Sequence, residues 1–221
     1  MLNFRDKKQM IDQLHKIYRT RKGEIVSRIR EFQKFQPYKN DEEIFYELTF
    51  CILTPQSKAQ CCWDAVLAIK QHNLLFNGTA EQIKRRLHRV RFHNKKAGYV
   101  VEARTLFTKG GRISITPLIS KFTGSHEIRE WLVKNIKGLG YKEASHFLRN
   151  IGLGEKIAIL DRHILRNLHL LGVIEEIPDS LSRSKYLQIE ERMAEFSKQV
   201  NIPLSHLDLL LWYKETGQIF K

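Results

Sequence analysis

Apolar residues recur at helical spacing along nearly the whole chain, and no stretch shows the sustained period of two that a half-buried strand requires. From about Asp6 to Phe35, Met10, Leu14 and Ile17, then Ile25, Ile29 and Phe32, stand three or four positions apart. This predicts a helix, interrupted at Gly23 and stopped by Pro37. Asp41 reads as the N-cap of the next helix, DEEIFYELTFCILT, with Glu42 and Glu43 suited to the positive end of its dipole. From Leu48 to Leu53 that helix is apolar almost all round, so it is expected to be buried. Thr54-Pro55-Gln56-Ser57 breaks it, and a helix through Ala59, Cys62, Trp63, Val66 and Leu67 follows. Thr79 with Gln82 has the form of a capping box ahead of Ile83, Leu87 and Val90. The basic run RLHRVRFHNKKAGY leads into a helix carrying Ala97, Val100, Ala103 and Phe107, which Gly110-Gly111 ends.

The densest pattern lies between His126 and His169. Ile128, Leu132 and Ile136 mark one helix, with Trp131 alongside; Lys137-Gly138-Leu139-Gly140 breaks it; Ala144, Phe147, Leu148 and Ile151 mark a second helix at once. Gly152 and Gly154 end the second, and Asp161 opens a third with Ile164, Leu165, Leu168 and Leu171. Two glycines in so short a turn give access to backbone dihedrals barred to other residues. Successive N–H groups there can converge on a phosphate oxygen, and the second helix aims its N-terminus at the same place. Beyond Pro178, Ile189, Met193, Phe196 and Val200 form a helical stripe. Pro203 and Ser205 then start a last helix that runs to Gly217. The fold class expected is all-α.

Charge narrows the partner. Lys and Arg number 38 against 24 Asp and Glu among 221 residues, a formal charge of +14. A surplus of this size fits a polyanion, and nucleic acid is the commonest. The cysteines are Cys51, Cys61 and Cys62, too few for a four-cysteine iron–sulfur site and without the spacing of a disulfide framework. With no signal peptide and no apolar run long enough for a bilayer, the expected location is soluble and cytoplasmic, at the nucleoid.

The block HEIREWLVKNIKGLGYKEASHFLRN, followed by AILDRH, resembles the helix–hairpin–helix superfamily of DNA glycosylases. KEASHFLRN and the chain end at Lys221 are most similar to the archaeal-type (type 2) 8-oxoguanine DNA glycosylase/AP lyases. The resemblance implies a two-lobed architecture with the active site in the cleft between lobes. One lobe would span 41–153, with the motif at 126–151; the other would combine 1–40 with 154–221. It implies excision of 8-oxoguanine through a lysine Schiff base, then β-elimination of the strand. The partner would be double-stranded DNA containing 8-oxoguanine, bound by a monomer. Two alternatives remain open on the residues: a non-catalytic helix–hairpin–helix DNA-binding protein, and a related glycosylase for oxidised pyrimidines lacking the iron–sulfur cluster.

The same resemblance distributes roles. Lys142, on the first turn after the hairpin, becomes the amine nucleophile, and Asp161 the carboxylate that assists base departure. Asp161 is also an ordinary N-cap for RHILRNLHLL, and the two roles are compatible. Gly138 and Gly140 would give backbone amides to a phosphate. No cofactor and no metal ligand set are implied, apart from room for a monovalent cation at hairpin carbonyls near Lys134, Ile136 and Leu139. His146, His163 and His169 read as phosphate contacts or packing. Trp212, Phe92 and the terminal Lys221 are assigned to the base pocket. The Lys221 carboxylate would accept the N7 proton that only the oxidised purine carries. Gln56 is assigned to filling the gap that an extruded base leaves in the duplex.

Overall fold

A helix of 30 residues opens the described chain, α1 (Phe4–Gln33), and it passes through Gly23 without a break. The computed structural model describes residues 4–35 and 40–220, with side chains from residue 7 on; Pro37 and Lys221 lie outside these. A glycine in a helix costs about 0.5–1 kcal/mol relative to alanine. Leu14 and Tyr18 on one side of Gly23 and Ile25 and Phe32 on the other are all buried, and their packing offsets that cost. The expected interruption is therefore corrected: tertiary burial overrides the local penalty.

The chain divides into two compact units, one made of Met1–Lys34 with Gly152–Lys221 and the other of Phe35–Ile151. In the first, α1 packs along the last helix, and α10 (Arg162–Leu170) and α11 (Arg183–Gln199) pack on that same α12 (Leu204–Thr216). Polar ties join these apolar seams. Tyr18 Oη lies 2.8 Å from His206 Nδ1, and His15 Nε2 lies 2.8 Å from the carbonyl of Val200. The stripe Ile189, Met193, Phe196 and Val200 is buried throughout, as its spacing predicts.

The second unit is built around α2 (Asp41–Leu53), whose ten residues from Ile44 to Leu53 are all buried. Its cap is Asn40, not Asp41: the Asn40 side chain accepts from the N–H groups of Glu42 and Glu43. Asp41 instead accepts from the backbone N–H (2.8 Å) and the hydroxyl of Thr116, tying α2 to α7 (Thr116–Ile119). Around α2 stand α3 (Ala59–Gln71), α6 (His93–Phe107) and α9 (Tyr141–Asn150), and α8 (Ser125–Asn135) packs on α9. The short α4 (Leu74–Asn77) and α5 (Ala80–Lys84) lie against α6, and α5 carries the capping box of Thr79 and Gln82. At Gly110-Gly111 the chain forms a minimal antiparallel ribbon, β1 (Thr108–Lys109) with β2 (Arg112–Ile113). Otherwise the described elements are helices.

Candidate active site

The residues expected to act fall into two sets, one in each unit. The first is the hairpin between α8 and α9. The helix ends as Ile136 leaves the helical dihedrals, and buried Leu139 anchors the turn. Gly138 takes φ +86°, and a Cβ built there would lie 2.8 Å from Cδ2 of Tyr99. Both the dihedral and the contact demand glycine. Gly138→Ala is expected to cost about 1–3 kcal/mol of stability and to weaken duplex binding. Denaturant melts and a duplex titration check it.

Gly140 behaves differently. Its φ of −92° is open to any residue, and its N–H donates to Glu143 Oε2 at 3.2 Å. Of the two hairpin glycines, Gly140 thus has its N–H engaged by a carboxylate. The other oxygen of Glu143 lies 3.0 Å from Lys142 Nζ. Lys142 side-chain exposure is 27 % and that of Glu143 is 11 %, so the pair is largely shielded from water. One carboxylate therefore caps α9 and holds the amine on its first turn. Glu143 was not marked in the sequence, because a glycine N-cap lacks the Ser or Thr that signals a capping box. Below the hairpin, fully buried Arg129 donates to Ser145 Oγ (3.0 Å) and lies under the Tyr141 ring, whose hydroxyl donates to Glu130 (2.6 Å).

Gln56 and Phe92 belong to the same unit. Both have left-handed backbones, φ +55° and +58°, unusual away from glycine and strained by about 1 kcal/mol or more. A pocket of about 220 Å³ is lined by Ile52, Pro55, Phe92, Lys95, Lys96, Tyr99 and Gly138. It joins the turn that carries Gln56 to the hairpin. The Phe92 ring lies at its rim, 55 % exposed, rather than within an enclosed base pocket. Lys96, 4 % exposed, is a buried cation that sequence reasoning missed. Burial pulls its pKa down to about 8 from an ordinary 10.5. Between those values the unfolded chain binds the proton and the folded one releases it, so stability rises with pH there. Urea melts at pH 7.5 and 9.5 are expected to show this gain, and Lys96→Met to lack it.

The second set lies in the unit formed by the chain's two ends. Asp161 is the N-cap of α10, accepting from the N–H of Ile164 at 2.8 Å. The extended stretch before it is held by α11: Glu190 accepts from the N–H of Ala158 (2.7 Å), and Tyr186 donates to the Ala158 carbonyl (2.7 Å). Glu190 and Tyr186 are buried, and neither stood out in the sequence, since each reads as one more polar position on a helix. On α12, Trp212 meets the edge of His163 at 5.4 Å, and its indole Nε1 is buried without a hydrogen-bond partner. A buried unsatisfied donor costs about 1–3 kcal/mol, and a bound acceptor would relieve it. Asn167 donates to Glu215 (2.9 Å) and accepts from Lys214 (2.7 Å), fixing α10 against α12 around Trp212.

His146 packs edge-on against Phe50 in the buried core, and His163 packs on Trp212. Among the described residues no group of three or more His, Cys, Asp or Glu is placed to hold a metal ion. None of the described helices is long and apolar enough to cross a membrane. At the hairpin, the Ile136 carbonyl accepts from the N–H of Leu139 at 3.3 Å.

Residues 25–202 match the family model described as 8-oxoguanine DNA glycosylase. The chain belongs to the 8-oxoguanine DNA glycosylase family. A family member from Fusobacterium nucleatum, named 8-oxoguanine DNA glycosylase/AP lyase, is 48 % identical over 215 residues, covering 97 % of this chain and 99 % of that one. The crystal structure of the Methanocaldococcus jannaschii 8-oxoguanine glycosylase/lyase, in complex with a 15-mer DNA containing 8-oxoguanine, matches with TM-score 0.84 at 40 % identity. It covers 96 % of this chain and 100 % of that chain. The 8-oxoguanine DNA glycosylase of Thermotoga maritima matches with TM-score 0.83 at 33 % identity, over 97 % and 100 % of the two chains. The helix–hairpin–helix glycosylase fold expected from GLGYK and AILDRH is therefore that of the family.

Proposed function

We propose that this protein excises 8-oxoguanine from duplex DNA and then cleaves the strand at the resulting site. The observation that carries the reading is family membership over almost the whole chain, including a relative crystallised on DNA that contains this lesion. The active species is a monomer acting in the cytoplasm at the nucleoid, with no metal or organic cofactor.

In this reading Lys142 and Asp161 act on one deoxyribose. Once Lys142 has given up a proton, its amine attacks C1′ as the C1′–N9 bond breaks, and the base leaves with the bonding pair and takes up a proton. Positive charge grows on the sugar, and the Asp161 carboxylate stabilises it. The amine then loses a proton and the ring opens to an iminium. Removal of a C2′ proton breaks the C3′–O3′ bond, and water later hydrolyses the iminium to free the enzyme. Gly138 and Gly140 give the hairpin its grip on the phosphate backbone, and Gly140 is also the N-cap of α9. Trp212, whose indole N–H has no partner, holds the extruded purine, with Phe92 contacting it from the exposed rim.

The test is incubation with borohydride and duplexes carrying 8-oxoguanine, an oxidised pyrimidine or no lesion. A covalent adduct mapped to Lys142 with the first duplex is the expected result. Capture with the pyrimidine lesion alone would reassign the substrate, and no adduct with any duplex would leave only a DNA-binding module.

A further inference from the structure

The turn Thr54-Pro55-Gln56-Ser57 is held by a side chain far from it in sequence. Lys96, on the first turn of α6, donates to the carbonyls of Leu53 and Pro55 at 2.7 Å each and lies 3.1 Å from Ser57 Oγ. Three ammonium protons thus meet three acceptors, one of them at the C-terminal end of α2, where positive charge is favoured. Ser57 closes the loop from its own side. Its N–H donates to the Thr54 carbonyl (2.9 Å), and its hydroxyl oxygen accepts from the N–H of Arg91 (3.0 Å). At the tip stands Gln56, exposed and left-handed.

Two costs coincide here. A non-glycine residue is kept at positive φ, and a lysine is kept out of water. An apolar residue at position 96 would remove the second cost. Strain that the surroundings over-determine gathers where geometry is used, and the side chain that the strained residue presents to solvent is that of Gln56. We propose that Lys96 is the positioning residue that locks the turn so that Gln56 enters the duplex preorganised. This rests on the reading of Gln56 as the group that fills the space of the extruded base. The charged and titratable groups facing Lys96 are Cys62 from α3 and Glu143 and Lys142 from α9.

The experiment is a double-mutant cycle on binding to a duplex bearing a stable abasic analogue, with wild type, Lys96→Met, Gln56→Ala and the double variant. Each single change is expected to weaken binding about tenfold, and the double variant to bind no worse than either, because a loosened turn has already wasted Gln56. Additive losses, or full binding by Lys96→Met beside an impaired Gln56→Ala, would overturn the role of Lys96. Full binding by Gln56→Ala would sink the reading of Gln56 itself. Should Lys96→Met fail to fold, the ratio of wild-type to Gln56→Ala affinity at pH 7 and pH 9.5 decides. Charge-assisted hydrogen bonds are about twice as strong as neutral ones, so this ratio is expected to shrink on deprotonation. A ratio that stays constant overturns the proposal.

Discussion

Lys142→Gln will abolish borohydride trapping and strand cleavage while leaving duplex binding close to wild type. Glutamine keeps the length and polarity of the side chain but has no nucleophilic nitrogen, so no iminium can form. Losing a nucleophile that acts as one unit with its neighbours costs on the order of 10³-fold or more in the chemical step. Binding survives because the grip on DNA comes from the hairpin and from a chain with formal charge +14, of which one charge is removed. Fold survives because the ion pair of Lys142 with Glu143, at 3.0 Å, is a local contact rather than a core element. The second oxygen of Glu143 continues to cap α9 through the N–H of Gly140. Single-turnover gels with equilibrium binding on the same duplex separate the two outcomes. Continued nicking by this variant would remove Lys142 from the chemistry.

Asp161→Asn will slow base release about 10²–10³-fold with little change in thermal stability, while Asp161→Ala will lose both. The side-chain oxygen of Asp161 accepts from the N–H of Ile164. Asparagine supplies an equivalent acceptor and is an equally good cap, but it carries no charge to set against an oxocarbenium-like sugar. Alanine removes the acceptor as well, at about 0.5–2 kcal/mol. Comparing the two variants in melting and in single-turnover excision isolates the carboxylate's electrostatic part. Equal activity of Asp161→Asn and wild type would confine Asp161 to its capping role.

Helical periodicity made the elements legible because each helix buries one stripe, and the stripe is written at three- and four-residue spacing. The buried run Leu48–Leu53, the capping box at Thr79 and the Asp161 cap were all readable on that ground. Local cues failed where distant partners decided the outcome. Gly23 continues a helix because residues on either side of it pack. Asp41 gave up the cap to Asn40 because Thr116, seventy-five positions away, takes its carboxylate. In the candidate site, Lys142 and Asp161 stood out through a motif, whereas Glu143, Lys96, Tyr186 and Glu190 did not. Each of these works through hydrogen bonds to backbone groups, which leave no periodic trace. Phe92 was named as a pocket aromatic, and it does line a pocket, but the side chain is left half exposed at the rim, which an aromatic in a sequence does not announce.

One unit joins the segment Met1–Lys34 to the segment Gly152–Lys221, whereas Phe35–Ile151 is continuous. On the ribosome this order has a consequence. The continuous unit can complete its core while the remainder is still being made, but α1 must wait for α12, whose first residue comes 171 positions after α1 ends (204 − 33). At roughly 5–20 residues per second, that is about 9–34 s in which the stripe of Leu14, Tyr18, Ile25 and Phe32 has no native cover. Nascent chains are thus exposed to chaperone capture at their leading helix, and moving that helix to the other end by circular permutation would shorten the delay.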